Sequence, residues 1–496
     1  MSVAVLAVDQ GTTNTKALLI DAAGTILARA SRRMNVFHPQ PGWVEQSPDE
    51  IWQAVQKVIA ECLAARPDVA IAAIGISNQR ESVLLWDRKS GKALGPCVTW
   101  QCRRSAERLE PLRNAETETL VAERSGLSLD PMFPAAKIGW LLDSDPCLRG
   151  KAVAGEICAG TVDSWLLFNL TGGAVHATDV GNASRTQLLD IRRAAWDEDL
   201  ARLFDVPLSV LPAVLPSDAP FGVTGGGLGL PEGLPILAMM GDSHAALFGH
   251  GVRKPGVVKA TYGTGTSLMT LTAEPLMSRH GLSTTIAWGR GDEVSYALEG
   301  NISVSGQGAA FVTQLLGLAD EDALGDLAQT VSSSEGVTFV PALAGLGAPY
   351  WRDDARGLIT GMTLGTGPAH VARACLEAIA LQVMDVFVAM EADLGAQLAE
   401  LSADGGASRS KFLMQLQADL LDRPVRRNPV AELSAVGAGI MAGIKAGVWD
   451  EEGAGTLFQD ESARFVPGMA PDAREKLIST WRAAVAQALG RGRPET

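Results

Sequence analysis

Short apolar runs alternate with longer segments of helical periodicity along most of the chain. Residues 51–64 have a helical pattern and precede the apolar run 71–76, and the same succession returns with 372–394 and 401–403. Short apolar runs between turn residues are typical of buried strands, and helix-length segments between them favour a layered architecture. We therefore expect an α/β fold with helices on both faces of a sheet.

Two hairpin-like segments of the same design occur in the two halves of the chain. The first places a glycine- and hydroxyl-rich tip between the apolar runs 3–8 and 15–20, and the second does so between 256–262 and 267–272. Strand-like runs on either side of such a tip predict antiparallel hairpins. The repetition predicts two halves of similar build.

A domain boundary is expected near the middle of the chain. Because a single core stops growing at about 250 to 300 residues, the 496 residues require at least two large domains. The proline- and glycine-rich span 206–235 has little periodicity and indicates a long surface excursion. We place the boundary just beyond it, near Gly251, which gives domains at 1–251 and 252–496.

Charge and hydropathy narrow the class of partner. The formal net charge is −14, which repels phosphodiester backbones and anionic lipid surfaces. No apolar run reaches the ~18 residues of a membrane span, and Asp9 comes too early for the core of a signal peptide. We expect a cytoplasmic protein that binds a small molecule, not nucleic acid or a membrane.

The tip of the first hairpin offers a cradle for phosphate. Gly11 permits a tight turn, and the backbone N–H groups and hydroxyls of Thr12 and Thr13 can face an anion. Lys16 adds a cation, and Asp9 at the strand end can hold Mg²⁺ through water. A hairpin turn whose hydroxyls bond locally to the backbone explains the motif about as well.

Two further glycine clusters have the same character. One is the tip of the second hairpin at 263–266, and the other, at 404–408, lies between the run 401–403 and a helix-like segment. Glycines at such junctions let the backbone approach a flat ligand closely. Three of these tips in two similar halves favour a nucleotide held between the halves over three unrelated turns.

Asp242 follows the apolar run 236–240 near the expected boundary, where a carboxylate would face a cleft. Phosphoryl transfer to an alcohol needs positioning, Mg²⁺ and a base that accepts the hydroxyl proton. Asp242 fits the role of that base. The structural alternative is an N-cap for the helix that follows.

Arg80, Glu81 and Trp100 are suited to a polyol. An Arg beside a Glu at a strand end supplies fixed donors and acceptors for adjacent hydroxyls, and an aromatic face packs against a carbon skeleton. A surface ion pair and a core tryptophan are the corresponding alternatives.

Together these motifs resemble the FGGY carbohydrate kinase family over residues 3 to about 450, most closely its glycerol-phosphorylating members. Both signatures of that family are present, at 132–141 and 357–377. The other matching segments are 9–13, 79–81, 100–101, 160–165, 182–186, 262–265, 345–351, 404–407 and 412–415.

The resemblance implies an α/β fold of two duplicated domains, actin-like and ribonuclease-H-like, with an interdomain cleft. It implies a kinase that uses ATP and Mg²⁺ to phosphorylate a terminal hydroxyl of glycerol or a related small polyol, and a homo-oligomer, either a dimer or a tetramer. The alternatives are a kinase for another sugar or four- to five-carbon polyol and, from a different class, an actin- or chaperone-like ATPase.

Carried over position by position, the resemblance makes Asp242 the catalytic base, and Asp9 with Asp242 the metal-binding pair. The residues implied for the substrate are Arg80, Glu81, Trp100, Met132, Asp242 and Ser243. The residues implied for the nucleotide and its phosphates are Thr12, Thr13, Asn14, Lys16, Thr264, Gly306, Gly406, Ala407 and Ser410.

Several positions depart from the family pattern. Met132, Ser243 and Ser267 stand where the glycerol-specific members have Tyr, Gln and Phe, and Ala310 and Ser410 replace the Gln and Asn usual near the nucleotide base. A site that loses its partner for a substrate hydroxyl loses discrimination. We therefore expect reduced selectivity for glycerol and a preference for a larger or differently shaped polyol.

Segment 223–234 matches a loop that binds fructose 1,6-bisphosphate in several bacterial members of the family. It carries no Lys or Arg and one acidic residue, Glu232. Since a bisphosphate needs paired cations to offset its desolvation, we predict that this chain is not inhibited by it.

Overall fold

The computed structural model describes residues 2–226, 230–458 and 463–490. The strands of the first half are β1 (Ser2–Gln10), β2 (Asn14–Asp21), β3 (Ile26–Arg33), β4 (Glu45–Gln46), β5 (Val69–Asn78), β6 (Val83–Asp87), β7 (Cys97–Val98), β8 (Ile157–Thr161), β9 (Ala177–Asp179), β10 (Leu189–Asp190), β11 (Ala195–Trp196), β12 (Ala213–Leu215), β13 (Gly222–Val223) and β14 (Pro235–Gly241). Those of the second half are β15 (Val257–Tyr262), β16 (Thr266–Thr272), β17 (Ser283–Arg290), β18 (Glu293–Ile302), β19 (Thr338–Val340), β20 (Leu358–Thr360), β21 (Glu400–Asp404), β22 (Val425–Arg427) and β23 (Arg464–Phe465).

The α-helices lie on the faces and between the strands. They are α1 (Pro48–Ala65), α2 (Ala115–Ser125), α3 (Pro134–Asp143), α4 (Pro146–Val153), α5 (Val162–Leu170), α6 (Val180–Ser184), α7 (Glu198–Leu203), α8 (Asp242–Gly249), α9 (Gly306–Leu315), α10 (Glu321–Gln329), α11 (Pro368–Leu394), α12 (Lys411–Leu421), α13 (Leu433–Lys445), α14 (Glu451–Thr456) and α15 (Pro471–Gly490). Within the described ranges, no helix combines the length and apolar character needed to span a bilayer.

The first large sheet has the order β13-β14-β5-β1-β2-β3. Strands β1, β2 and β3 form an antiparallel meander, whereas β5 runs parallel to β1 and β14 runs parallel to β5. The register pairs Ser77 with Asp9 on one side and with Met240 on the other. The carboxyl ends of β1, β5 and β14 therefore meet at one edge of the sheet.

The second large sheet repeats this plan with the order β17-β18-β16-β15-β21-β22-β23. Strands β15, β16 and β18 are antiparallel neighbours, while β21 runs parallel to β15 and β22 parallel to β21. Both expected hairpins are present, as β1–β2 and β15–β16. The prediction of a duplicated two-domain α/β fold is confirmed.

Helix α13 joins the two halves, because it packs against β1, β5, β14 and α8 of the first half although it lies near the end of the chain. Glycines make this possible: a Cβ at Gly75 would collide with the carbonyl of Ala438, and one at Gly437 with the carbonyl of Ala245. The shared core includes Val436. The expected domain bounds 1–251 and 252–496 stay predictions, since α13 of the second half packs against the first half.

Span 206–235 is not simply a surface excursion, as its composition suggested. It contains β12, β13 and a 3₁₀ helix (Leu208–Val210), and both Ser217 and Phe221 are buried. The Ser217 hydroxyl donates to Asp179 at 2.7 Å and accepts from the N–H of Gly289 in the second half at 3.1 Å. The prolines and glycines interrupt the hydrophobic periodicity of this span, although part of it is buried in the core.

Candidate active site

Two carboxylates lie where β1, β5 and β14 end. Asp9 accepts a hydrogen bond from the hydroxyl of Ser77 at 2.9 Å, and Asp242 begins α8 directly after β14. Burial and, after it, the negative charge of Asp242 raise the pKa of Asp9 to about 6. A pair of carboxylates in which one charge raises the proton affinity of the other is a donor set that suits Mg²⁺.

The Asp242 side chain is open to the cleft and does not cap its helix. Gly241 is the N-cap residue of α8, and no side chain among the described residues caps the helix. Asp242 Oδ1 accepts a hydrogen bond from the adjacent N–H of Ser243 at 2.6 Å. The same oxygen lies 3.4 Å from Arg80 Nε, and the side chain is 39% exposed. Desolvation by the surrounding walls raises the pKa of Asp242, and Arg80 opposes that rise.

Arg80 and Glu81 are buried, with 7% and 6% of their surface exposed, so the alternative of a surface ion pair is wrong. Glu81 has a φ of 58°, a left-handed backbone that is costly for a residue with a side chain. Its carboxylate accepts from Arg185 Nε at 2.7 Å. Strained backbone held by a buried ion pair is typical of a functional site.

Sequence reasoning missed Arg185 and Glu299. Glu299, on β18, accepts from both terminal nitrogens of Arg80, at 3.1 Å to Oε2 and in a closer contact to Oε1, and lies 2.9 Å from Arg185. Burial by itself would raise the pKa of Glu299, but Arg185 and Arg80 together hold it well below its usual range. Arg185 falls in the matching segment 182–186, whereas Glu299 lies in no motif that could have indicated it.

Trp100 lies at the cleft and not in the core, with 38% of its surface exposed. Its indole N–H donates to the hydroxyl of Thr12 at 3.0 Å, and that hydroxyl donates to Gln79 Oε1 at 3.2 Å. The Thr12 hydroxyl therefore bonds to distant side chains, which disfavours the local-turn reading of this residue. The first tip and the tryptophan form one connected surface.

The remaining residues of the first tip shape a tight turn. The N–H of Gly11 donates to the carbonyl of Asn14 at 2.9 Å, and the carbonyl of Thr13 accepts from Met34. Thr13 is exposed, and Lys16 lies opposite Asp9 in the register of β1 and β2. The cation of Lys16, the hydroxyl of Thr13 and the carboxylate of Asp9 therefore all lie at or beside the turn.

The second tip is tied to the start of α9. The carbonyl of Thr264 accepts from the N–H groups of Ser305 and Gln307, both at 3.0 Å. The N–H of Gly306 donates to the carbonyl of Gly263 at 3.1 Å, and a Cβ at Gly306 would lie 2.5 Å from that oxygen. Only glycine fits this position without a shift of the tip.

The third tip touches the second. Gly405 has a φ of +89°, and a Cβ there would collide with the backbone of Tyr262, whereas Gly406 faces open space. Ala407 begins a 3₁₀ helix, and the hydroxyl of Ser410 caps α12 by accepting from Leu413 at 3.2 Å. The side of the cleft formed by the second and third tips is therefore built largely from backbone. Ala310, on α9, is exposed.

Three of the positions that depart from the family pattern lie close to the charged residues of the cleft. The hydroxyls of Ser243 and Ser267, from different halves, lie 3.4 Å apart, and Ser267 donates to Glu299 at 3.5 Å. The carbonyl of Met132 accepts from Lys137 Nζ at 2.6 Å, and the same ammonium donates to the carbonyl of Glu81 at 3.1 Å. Met132 is thereby tied to the backbone of Glu81.

A phosphotransferase that acts on an alcohol is the class of protein that this fold and cleft define. Sequence models of the FGGY family of carbohydrate kinases match here, the N-terminal domain at residues 4–249 and the C-terminal domain at 258–446. The chain belongs to the FGGY family of carbohydrate kinases.

Individual relatives span almost the whole chain. It is 48% identical over 493 residues to the apulose kinase of Pectobacterium atrosepticum and 44% identical over 496 residues to the glycerol kinase of Alkalilimnicola ehrlichii, with 99% of each chain covered. The crystal structure of Plasmodium falciparum glycerol kinase with ADP superposes with a TM-score of 0.94 at 33% identity and 98% coverage of both chains. The predicted family and enzyme class are confirmed, and the actin- or chaperone-like ATPase is not supported.

Residues 227–229 of the segment 223–234 lie outside the described residues. The absence of inhibition by fructose 1,6-bisphosphate stays a prediction.

Proposed function

We propose that this enzyme transfers the γ-phosphate of ATP to a terminal hydroxyl of a small sugar or polyol larger than glycerol. The observation that carries the proposal is the pair of hydroxyls of Ser243 and Ser267, 3.4 Å apart in the wall next to Asp242. These small polar groups replace the Gln and Phe of glycerol-specific members and leave room and hydrogen-bonding capacity for additional hydroxyl groups. The 48% identity to an apulose kinase supports an acceptor other than glycerol.

Asp242 would accept the proton of the acceptor hydroxyl as its oxygen attacks the γ-phosphorus and the bond to ADP breaks. Arg80, 3.4 Å away, favours the ionised carboxylate, while desolvation raises its basicity. These opposed influences keep a carboxylate both charged and able to accept a proton. Arg80, Glu81, Trp100 and Met132 would hold the acceptor.

The nucleotide would occupy the side lined by the glycine tips, which fits a ligand approached by backbone. Thr12, Thr13, Asn14 and Lys16 would contact the transferred phosphate. Thr264 and Gly306 would contact the rest of the triphosphate, and Gly406, Ala407 and Ser410 the adenosine. The likeness to a glycerol kinase solved with ADP supports this assignment.

Asp9 and Asp242 would hold Mg²⁺, since the negative charge of Asp242 raises the pKa of Asp9 and a bound cation would relieve that repulsion. When bound, Mg²⁺ neutralises charge on the phosphates. We also propose a cytoplasmic location. We further propose that the chain forms a dimer or tetramer, and light scattering on the purified chain tests this oligomeric state.

The test is an acceptor panel. The purified enzyme is incubated with Mg-ATP and glycerol, erythritol, ribitol or apulose, and ADP release is followed, with Asp242→Asn as the inactive control. Release that depends on the acceptor, and a phosphate ester on a terminal carbon by NMR, supports the proposal. Release independent of the acceptor contradicts it, and a kcat/KM for glycerol more than tenfold above the others contradicts the larger acceptor.

A further inference from the structure

Four buried charged side chains form a closed circuit behind the acceptor side of the cleft. We name this set the charge ring: Arg80, Glu81, Arg185 and Glu299. Arg80 donates to Glu299, Glu299 lies 2.9 Å from Arg185, and Arg185 donates to Glu81 at 2.7 Å. Since Arg80 and Glu81 are adjacent in the chain, the circuit closes, with two positive and two negative charges.

The charge ring spans both halves of the molecule. Arg80, Glu81 and Arg185 belong to the first half, whereas Glu299 comes from β18 in the second sheet. The side chain of Glu299 has no exposed surface. Without its charge, the ring would hold two buried guanidinium groups against one carboxylate, which is costly in a desolvated site.

Glu299 reaches the cleft only through its neighbours. Arg80, which it holds with both carboxylate oxygens, places Nε 3.4 Å from Asp242 Oδ1. On its other side Glu299 accepts from the hydroxyl of Ser267 at 3.5 Å. A carboxylate that accepts two hydrogen bonds from one guanidinium fixes the plane of that group as well as its position.

We infer that Glu299 is a positioning residue for acceptor recognition. From the second half it orients Arg80 directly, and through Arg185 it orients Glu81, so that both point at the acceptor. The inference rests on the proposed function, in which Arg80 and Glu81 contact the acceptor. It follows that the first half alone does not carry a complete acceptor site.

The primary test is Glu299→Gln, which keeps the size of the side chain and removes its charge. We expect the KM of the acceptor to rise at least tenfold while the KM of ATP changes less than twofold. Kinetics use whichever of glycerol, erythritol, ribitol and apulose gives the wild type its highest kcat/KM. A wild type without acceptor-dependent ADP release would overturn the proposed function, whereas an active wild type with an unchanged variant would overturn this inference alone.

Asp197→Asn is the matched control. Asp197 is also buried and paired with an arginine, Arg124, at 2.7 Å, but it caps α7 and has no contact with the charge ring in the part of the chain that the structure describes. The same loss of one buried charge there should leave both KM values within twofold of the wild type. An equal rise of acceptor KM in this control would overturn the inference.

Two further variants keep the test decisive if Glu299→Gln does not fold. Glu299→Asp retains the charge with a shorter reach, and Arg185→Lys removes the guanidinium that contacts Glu81 through Nε and Glu299 through a terminal nitrogen. Both should raise the acceptor KM severalfold and spare the KM of ATP. A purely structural role would instead lower the melting temperature and the active fraction with both KM values unchanged, and that result overturns the inference.

Discussion

In the function proposed above, the two sides of the cleft recognise their ligands by different means. The acceptor side relies on charged side chains, with Arg80 and Glu81 held by buried partners. The nucleotide side relies on backbone, with Gly306 and Gly405 at positions where a Cβ would collide with a neighbouring tip. The specificity of a site built from side chains can be changed by replacing those side chains. A site built from backbone instead requires glycine at the positions where a Cβ would collide.

The largest effect is expected where the two sides meet, at Asp242. Asp242→Asn removes the proton acceptor and should lower kcat by ~10² to 10⁴, the usual worth of a general base. Calorimetric titration with ATP should show nucleotide affinity largely retained. Turnover equal to that of the wild type would remove Asp242 from the mechanism and make the acceptor side a binding surface only.

On the nucleotide side, Gly405→Ala should weaken ADP binding by about tenfold or more, because the added methyl group meets the backbone of Tyr262 and the residue has a φ of +89°. Gly447→Ala is the control, since Gly447 has a φ of +72° but open space around it. It should cost stability and leave ADP affinity unchanged. If both variants lost the same amount of ADP affinity, the backbone approach at Gly405 would not be what recognises the nucleotide.

On the acceptor side, the combined change Met132→Tyr, Ser243→Gln and Ser267→Phe should raise the preference for glycerol over five-carbon polyols by about tenfold. The measurement is the ratio of the two kcat/KM values. The KM of ATP serves as the internal control and should stay within twofold. A wild type that already prefers glycerol by more than tenfold would show that these three positions do not set acceptor choice.

The smallest expected effect concerns the acid pair in metal-free buffer. Asp9 has a pKa of about 6 in the folded protein against 3.8 in the unfolded chain. Between those values the native state binds more protons than the unfolded state, so the free energy of unfolding falls as pH rises from about 4 to 6. Asp9 is half-buried, so screening limits the change to on the order of 1 kcal/mol.

Urea unfolding at pH 4.5 and 6.5 in the presence of a chelator measures this slope. Asp9→Asn should make the slope shallower without abolishing it, because the pKa values of Asp179 and Asp385 are also raised, to about 7 and about 6. Mg²⁺ added at pH 6.5 should stabilise the wild type more than the variant. An identical slope in both proteins would mean that Asp9 does not contribute to it.

Local patterns predicted the fold well because strand and helix periodicity is local. The β1–β2 and β15–β16 hairpins, α1 and α11 all lie where the sequence placed them, within a few residues. Asp242, Arg80 and Glu81 were found because short motifs at strand ends carried them. Their roles as base and acceptor ligands remain predictions.

Contacts between residues far apart in the chain could not be predicted from the sequence. Arg80 and Glu299 are 219 residues apart, and Thr12 and Trp100 are 88 apart, so no window of the chain contains both partners. The buried ion pair of Arg80 likewise has its partner in the second half. Span 206–235 was misjudged because prolines and glycines mask its packing against Gly289.

The packing of α13 on the first sheet constrains the order of events during synthesis. Leu433–Lys445 emerges from the ribosome roughly 190 residues after Gly251, which at ~5 to 20 residues per second is a delay of ~10 to 40 s. Until then, the face of β1 and β5 that α13 covers is bare apolar surface. The first half can therefore bury this face only after α13 has been synthesised, so its folding is completed late in translation.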